Sequence, residues 1–161
     1  MKSNLRIRLA NNEDLEKLIV VGDALFDYPI KEKSAIAFLN SKRHHMAIAL
    51  DNEKVVGMAS GVHYVHPDKM PSLFIDEVGV LETHQNKGIG RSLVKFLNEH
   101  GKSLGCSSSW VLTDTDNVAA QKMYTASGGK KAPQHLIMFD FQLEENPKIK
   151  SGRNNGCQTK K

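Results

Sequence analysis

The run Gln85-Asn86-Lys87-Gly88-Ile89-Gly90-Arg91 follows an apolar stretch and precedes an amphipathic one, so it reads as a turn that opens a helix. A phosphate needs several donors converging on it, and successive backbone N–H groups at a helix N-terminus supply them. Gly88 and Gly90 let the backbone approach a ligand without a Cβ in the way, and Lys87 or Arg91 adds positive charge. A glycine-rich turn with no ligand has the same composition, so the segment alone leaves both readings open. Two familiar nucleotide motifs are absent. No GxxxxGK[ST] occurs, and a GxGxxG register started at Gly88 meets Leu93 where the third glycine belongs.

Groups suited to proton transfer occur in two other places. Asp76 and Glu77 are adjacent within the apolar run 72–81. Strand side chains alternate, so the two carboxylates are expected on opposite faces, with only one facing a given cleft. The other is left to a salt bridge or a polar contact with a helix. Asn117, Ala120, Tyr124 and Gly128 recur at spacings of three to four and share one helix face. They supply a capping amide, a small residue for close packing, and a phenol that is either a packing residue or a proton donor.

The elements that must hold these groups follow from hydrophobic period and turn chemistry. Leu5 to Leu9 alternates as a short strand. Asn11 or Asn12 caps a helix whose buried face runs through Leu15, Leu18, Ile19, Gly22, Leu25 and Phe26, and which Pro29 ends. A second helix is expected over 33–42 with Ile36 and Leu39 inward. Strands 46–50 and 54–64 form a hairpin that turns at Asp51-Asn52-Glu53. Pro67 and Pro71 keep the next loop out of the sheet. The run 72–81 is dense in apolar residues, as a central strand buried on both faces would be. A helix over 88–104, a strand over 109–113, a helix over 117–127 closed by Gly128-Gly129, and a last strand over 136–143 complete the chain. The order β-α-α-β-β-β-α-β-α-β predicts an α/β fold: a mixed central sheet with helices on both faces.

Length and composition narrow the class. The chain has 161 residues, enough for one domain with a sizeable core. No stretch approaches the ~18 apolar residues of a membrane span, so no membrane association is expected. The start MKSNLRIRLANNED turns polar too soon for a secretory leader, which points to a cytoplasmic protein. Two cysteines without CxxC spacing and seven histidines without HExxH spacing give no metal site. The net charge of +4 resides in the last sixteen residues, which hold five Lys or Arg and no acid. The chain therefore divides into a near-neutral domain, 1–145, and a basic, solvated tail, 146–161. A nucleic-acid partner is not expected, because its footprint would be on the folded surface.

Together, the strand V78-G79-V80 with Q85-N-K-G88-I-G90 opening a helix, and the later Asn117 helix with Tyr124 seven residues on, resemble motifs A and B of the Gcn5-related N-acetyltransferases (GNAT). The resemblance covers about residues 74–143. It implies a sheet whose two parallel strands, here 72–81 and 109–113, splay apart to admit acetyl-CoA, with no metal. The implied cofactor-binding set is Val78, Gly79, Val80, Gln85, Asn86, Lys87, Gly88, Ile89, Gly90, Arg91, Asn117 and Tyr124. Backbone at Val78 and Val80 would pair with the pantetheine amides. An N–H near Val80 would polarise the thioester carbonyl, and Tyr124 would protonate the leaving thiolate. The family often places its base three residues before the valine that ends the motif A strand, which makes Glu77 the implied base and Asp76 the other candidate. Cys106 lies away from that position, so a cysteine acyl-enzyme is not expected.

A narrower resemblance bears on the acceptor, taken to be a primary amine of a small molecule. Residues 25–29 (LFDYP), 53–80 and 136–143 (LIMFDFQL) are similar to the aminoglycoside 3-N-acetyltransferases of the same family, whereas motif B and the turn fit generic members equally well. A polycationic sugar would call for an acidic cleft, which Asp27, Asp68, Asp76, Glu77, Asp114 and Asp116 form if they converge. Other acceptors in view are protein lysines or N-termini, polyamines and amino acids. A non-catalytic acyl-CoA sensor is a further reading, against which Glu77 and Tyr124 both speak. Many relatives are homodimers, and no feature of this sequence decides that point.

Overall fold

The computed structural model describes residues 5–133 and 136–143. Five strands form one sheet in the order β1-β2-β3-β4-β5. They are β1 (Leu5–Leu9), β2 (His44–Asp51), β3 (Lys54–Tyr64), β4 (Ser72–Val80) and β5 (Ser108–Val111). The first four are antiparallel, and β5 joins β4 in parallel. The helices are α1 (Leu15–Val21), α2 (Glu32–Leu39), α3 (Ile89–Ser103) and α4 (Val118–Ala126). The tail 146–161 lies outside the described residues.

Strand alternation divides the core in two. Ala47, Ala49, Ala59, Leu73, Ile75 and Val78 face α3 and α4, where they meet Leu93, Val94, Leu97, Ala120 and Tyr124. Met46, Ile48, Leu50 and Met58 face the other way and meet Leu18 and Leu25 from the α1 side, with Phe38 and Leu39 of α2 against them. The expected two-faced architecture is therefore what forms. The β2–β3 turn carries Asn52 and Glu53 at positive φ, the left-handed pair that a tight hairpin requires.

The start of the first helix is fixed by polar groups. The Asn11 side chain accepts from the Glu13 N–H, and the Asp14 carboxylate accepts from the Asn11 N–H. Asp14 is fully buried and also takes two hydrogen bonds of 2.6 Å from the Arg8 guanidinium on β1. Burial alone would push the Asp14 carboxyl up. Arg8 and the Asn11 N–H outweigh that and hold it below its ordinary value. On the opposite face, the imidazoles of β2, β3 and α3 form a chain. His100 Nε2 lies 3.0 Å from His45 Nδ1, and His45 Nε2 lies 2.8 Å from His63 Nδ1.

Three expectations are corrected. α1 ends at Val21 because Gly22 turns the chain at positive φ, so the predicted stripe is interrupted; within α1, Leu18 is buried and Ile19 is exposed. Leu25 reaches the core from the separate turn that follows. In α2 the inward residues are Phe38 and Leu39, while Ile36 is exposed. Residues 136–143 pair with no strand among the described residues, and their apolar side chains lie open to solvent. A strand exists only as a member of a ladder, and alternation alone does not supply the partner.

Candidate active site

β4 is the element on which the site depends. Its pairing with β5 runs from Ser72 opposite Ser108 to Ile75 opposite Val111 and stops there, although β4 continues to Val80. Beyond Ile75 the two parallel strands no longer share a ladder, and a cleft of ≈ 1020 Å³ lies along the unpaired end of β4. That is at the upper end of the ~300–1,000 Å³ usual for small-molecule sites. It is lined by Glu77, Val78, Gly79 and Val80 of β4, by the turn and first residues of α3, and by Asn117, Ala120 and Met123 at α4.

The turn after β4 forms as its composition requires. Asn86 and Gly88 both adopt positive φ, at 59° and 77°. They aim the chain into α3, a helix of 15 residues whose buried stripe is Ile89, Leu93, Val94, Leu97 and Gly101. Ser92 N–H is the first to bond back along the helix, to Gly88. The amides of Ile89, Gly90 and Arg91 precede it, in the first turn, where helix geometry provides no acceptor. They stand at the cleft, with Arg91 beside them. The Gln85 amide donates to the Val80 carbonyl at 3.0 Å and so ties the turn to the end of β4. Lys87 is folded back, its ammonium donating to the Thr83 carbonyl, and it does not line the cleft.

A bulge decides which carboxylate enters the cleft. On β3, Ser60 lies opposite Glu77 and the next residue, Gly61, lies opposite Ile75, so Asp76 is the extra residue. Asp76 is exposed; Glu77 is half-buried and lines the cleft. Of the six acids considered from sequence, Glu77, Asp114 and Asp116 line it, and Asp27, Asp68 and Asp76 do not. Arg91 and Lys122 supply the opposing charge.

Tyr124 is buried, and its ring packs with Ile75 and Val78 in the α3-side core. It lines a second, smaller cavity of ≈ 290 Å³ together with Asn98, Val111 and Thr113, where the β4–β5 pairing ends. The larger cleft is walled by its helix neighbours Ala120 and Met123. Asn117 caps α4, its side-chain oxygen accepting from the Ala120 N–H at 3.0 Å. Cys106 is half-buried at the end of α3, and burial pushes its thiol up, away from the thiolate a nucleophile needs. Sequence reasoning placed Leu25 in the core of the first helix and not at the cleft, and it did not single out His84. Both line the cleft, Leu25 by crossing Gly79 and His84 through its place in the turn, where it is held 3.2 Å from Asp51. Only the folded contact of the α1 side with β4 reveals Leu25. Among the described residues no group of three His, Cys, Asp or Glu side chains is placed to hold a metal, and no helix is long and apolar enough to cross a membrane.

Residues 11–128 match the model of the acetyltransferase (GNAT) family. The chain belongs to the GNAT acetyltransferases. It is an acyltransferase, and its five-stranded mixed sheet is the fold of that family. Among solved structures, the GNAT chain is similar to the aminoglycoside N-acetyltransferase AAC(6')-Iy in complex with CoA. The TM-score is 0.72 at 22% identity, over 88% of this chain and 97% of that one. It is similar to the aminoglycoside acetyltransferase meta-AAC0020 from an uncultured soil metagenomic sample, in complex with sisomicin, with a TM-score of 0.75 at 22% identity over 87% and 97% of the two chains. A ribosomal-protein-alanine N-acetyltransferase from Brucella melitensis biovar Abortus 2308 superposes with a TM-score of 0.70 at 16% identity, over 85% and 99%. At such identities the likenesses describe the fold.

Proposed function

We propose that this GNAT domain transfers the acetyl group of acetyl-CoA to a primary amine of a small, multiply charged molecule, with aminoglycosides as the acceptor class. The observation that carries the reading is a cleft that runs from the first amides of α3 along the end of β4 that no longer pairs with β5, with Glu77 on its wall. The fit of the cofactor is supported by that gap and by the left-handed Gly88 that starts α3. When bound, acetyl-CoA supplies an acetyl thioester. The amides of Ile89, Gly90 and Arg91, with the Arg91 and Lys122 cations, hold its pyrophosphate. Glu77 takes the proton of the acceptor ammonium, whose ordinary pKa near 10 leaves little neutral amine at pH 7. Backbone N–H near Val80 donates to the thioester oxygen as negative charge develops there. Tyr124 lines the smaller cavity rather than the cleft, and with the thioester seated where the two meet, beside Ala120, it would return a proton to the departing sulfur, a phenol and a thiol being of comparable acidity.

Solved neighbours include aminoglycoside acetyltransferases crystallised with CoA, with sisomicin and with a bisubstrate analogue, and this supports the choice of acceptor class. The test is acetyl-CoA consumption with aminoglycosides, linear polyamines and lysine or N-terminal peptides, followed by mapping of the acetylated nitrogen. Turnover of aminoglycosides at background rate, with peptides or polyamines turned over faster, would overturn the acceptor assignment.

A further inference from the structure

α1 and α2 cover only part of their face of the sheet. They shield Met46, Ile48, Leu50 and Met58, and among the described residues the other end, toward Tyr64 and β5, stays open. Tyr64 on β3, Phe74 on β4 and Trp110 on β5 lie there. Phe74 is the register partner of Trp110, and Tyr64 of Ser72, so the three rings share a face. The Phe74 and Trp110 centroids are 4.3 Å apart, and Tyr64 lies 6.4 Å from Trp110 with its plane only 15° away. Trp110 is 45% exposed and Tyr64 38%. The result is an aromatic cluster that spans three strands, with Phe74 tilted by 33° against the indole and the Trp110 and Tyr64 rings partly open to solvent.

Tyr64, Phe74 and Trp110 do not themselves line the cleft, but the bulge brings Glu77 of the cleft onto their face of β4. In a regular strand Glu77 would share the face of Leu73 and Ile75, which are buried against α3. With Asp76 as the extra residue, Val78 returns to the α3 face, and Glu77 and Gly79 turn to the other, where a Cβ on Gly79 would meet Leu25 at 3.0 Å. Glu77 therefore stands on the same face as Phe74. At ~3.3 Å per residue, and less through a bulge, the two are about 7–10 Å apart along β4.

We propose that Tyr64, Phe74 and Trp110 form the distal subsite of the acceptor cleft and take a second ring of a multi-ring polyamine whose reacting amine is at Glu77. The inference rests on the acetyl-transfer reading above and specifies which acceptors the site prefers. Indole and phenol faces attract cations and C–H bonds, so a saturated ring bearing ammonium groups suits them. The exposed Asp76 carboxylate at the bulge, between the platform and Glu77, complements that charge. An acceptor with one ring, or a linear one, gains less here because it does not present a ring face to the platform while its amine is at Glu77.

Trp110 is the single tryptophan of the chain, so its emission reports on the subsite directly. With the full-length protein, neamine, which has two rings, is expected to change that emission saturably, and glucosamine and spermidine to do so only at much higher concentration. In steady-state kinetics Trp110→Ala is expected to raise KM for neamine by about 2- to 30-fold, the span a cation over an indole face covers, with the effect in KM rather than kcat. Trp110→Phe should restore most of it, and Tyr64→Ala should act in the same direction more weakly. Trp110→Phe and Tyr64→Ala also keep the test open if Trp110→Ala fails to fold. If the wild type acetylates none of these amines, the chemistry fails, and saturable emission change with neamine alone still decides the subsite. If neamine is acetylated but leaves the Trp110 emission unchanged, and Trp110→Ala keeps the wild-type KM, the subsite falls and the chemistry stands. Loss of a dimer on sedimentation of Trp110→Ala, with unchanged KM, would assign the surface to a second copy of the chain and overturn the proposal.

Discussion

Ser60 of β3 lies directly across from Glu77, and the next β3 residue, Gly61, lies across from Ile75, so Asp76 is passed over by the ladder. A Cβ on Gly61 would stand 2.6 Å from the Phe74 carbonyl, so the backbone is in contact where the bulge forms. Gly61→Ala is therefore expected to destabilise the fold by about 1–3 kcal/mol through overpacking. It should also lower kcat/KM, because the same bulge orients Glu77. Thermal melts and kinetics on one preparation check both. A variant that melts like the wild type would mean that the strands relax without using that contact.

The face assignment can be tested chemically. Glu77→Gln keeps size and hydrogen bonding but loses basicity, so kcat/KM should fall at neutral pH and partly recover at high pH, where the acceptor amine deprotonates unaided. Asp76→Asn should have a milder effect, because Asp76 is exposed and outside the cleft. A pH rescue seen with Asp76→Asn and not with Glu77→Gln would reverse the assignment.

Tyr124→Phe removes the hydroxyl and keeps the buried ring. It should lower kcat by about a hundredfold or more, the size of a general-acid contribution, with little change in acetyl-CoA affinity. A wild-type kcat, measured where chemistry limits the rate, would leave Tyr124 as a packing residue between β4 and α4.

Gly90 lines the cleft between Val80 and Met123, where a Cβ would already be in van der Waals contact at 3.6–3.7 Å and a branched side chain would add bulk on the ligand's path. Gly90→Val should abolish acetyl-CoA binding in calorimetry, whereas Gly90→Ala should weaken it. Equal affinity in a folded Gly90→Val variant would move the cofactor elsewhere.

The imidazole chain predicts how stability depends on pH. Burial first, then the neighbouring His100, His63 and His44, holds His45 down to about 4 from an ordinary 6.5. Above pH 6.5 His45 is neutral in both folded and unfolded states. As pH falls from 6.5 toward 4, the unfolded chain gains a proton that the folded chain resists, so stability declines across that window. The melting temperature of His45→Phe should decline less steeply there than that of the wild type. Parallel slopes would show that other groups govern the acid limb.

Much of this was legible in the sequence, because it depends on local chemistry. β1 and β3 begin and end where their alternation does, and α3 starts where glycines and a polar turn meet an amphipathic period. Asn117 caps α4, and Gly128 ends it at positive φ. The Gly turn and the carboxylate pair were found for the same reason: residue type and spacing carry their chemistry. What remained hidden depends on distant chain. Alternation put Asp76 and Glu77 on opposite faces but could not foresee the bulge, because a bulge is a property of pairing with β3. The stripe from Leu15 to Phe26 is broken because Gly22 turns the chain. The run 136–143 has the composition of a strand but no ladder among the described residues, since hydrogen-bond partners come from elsewhere in the fold. That Tyr64, Phe74 and Trp110 meet on one face was decided by register across three strands, and no local period in the sequence encodes register.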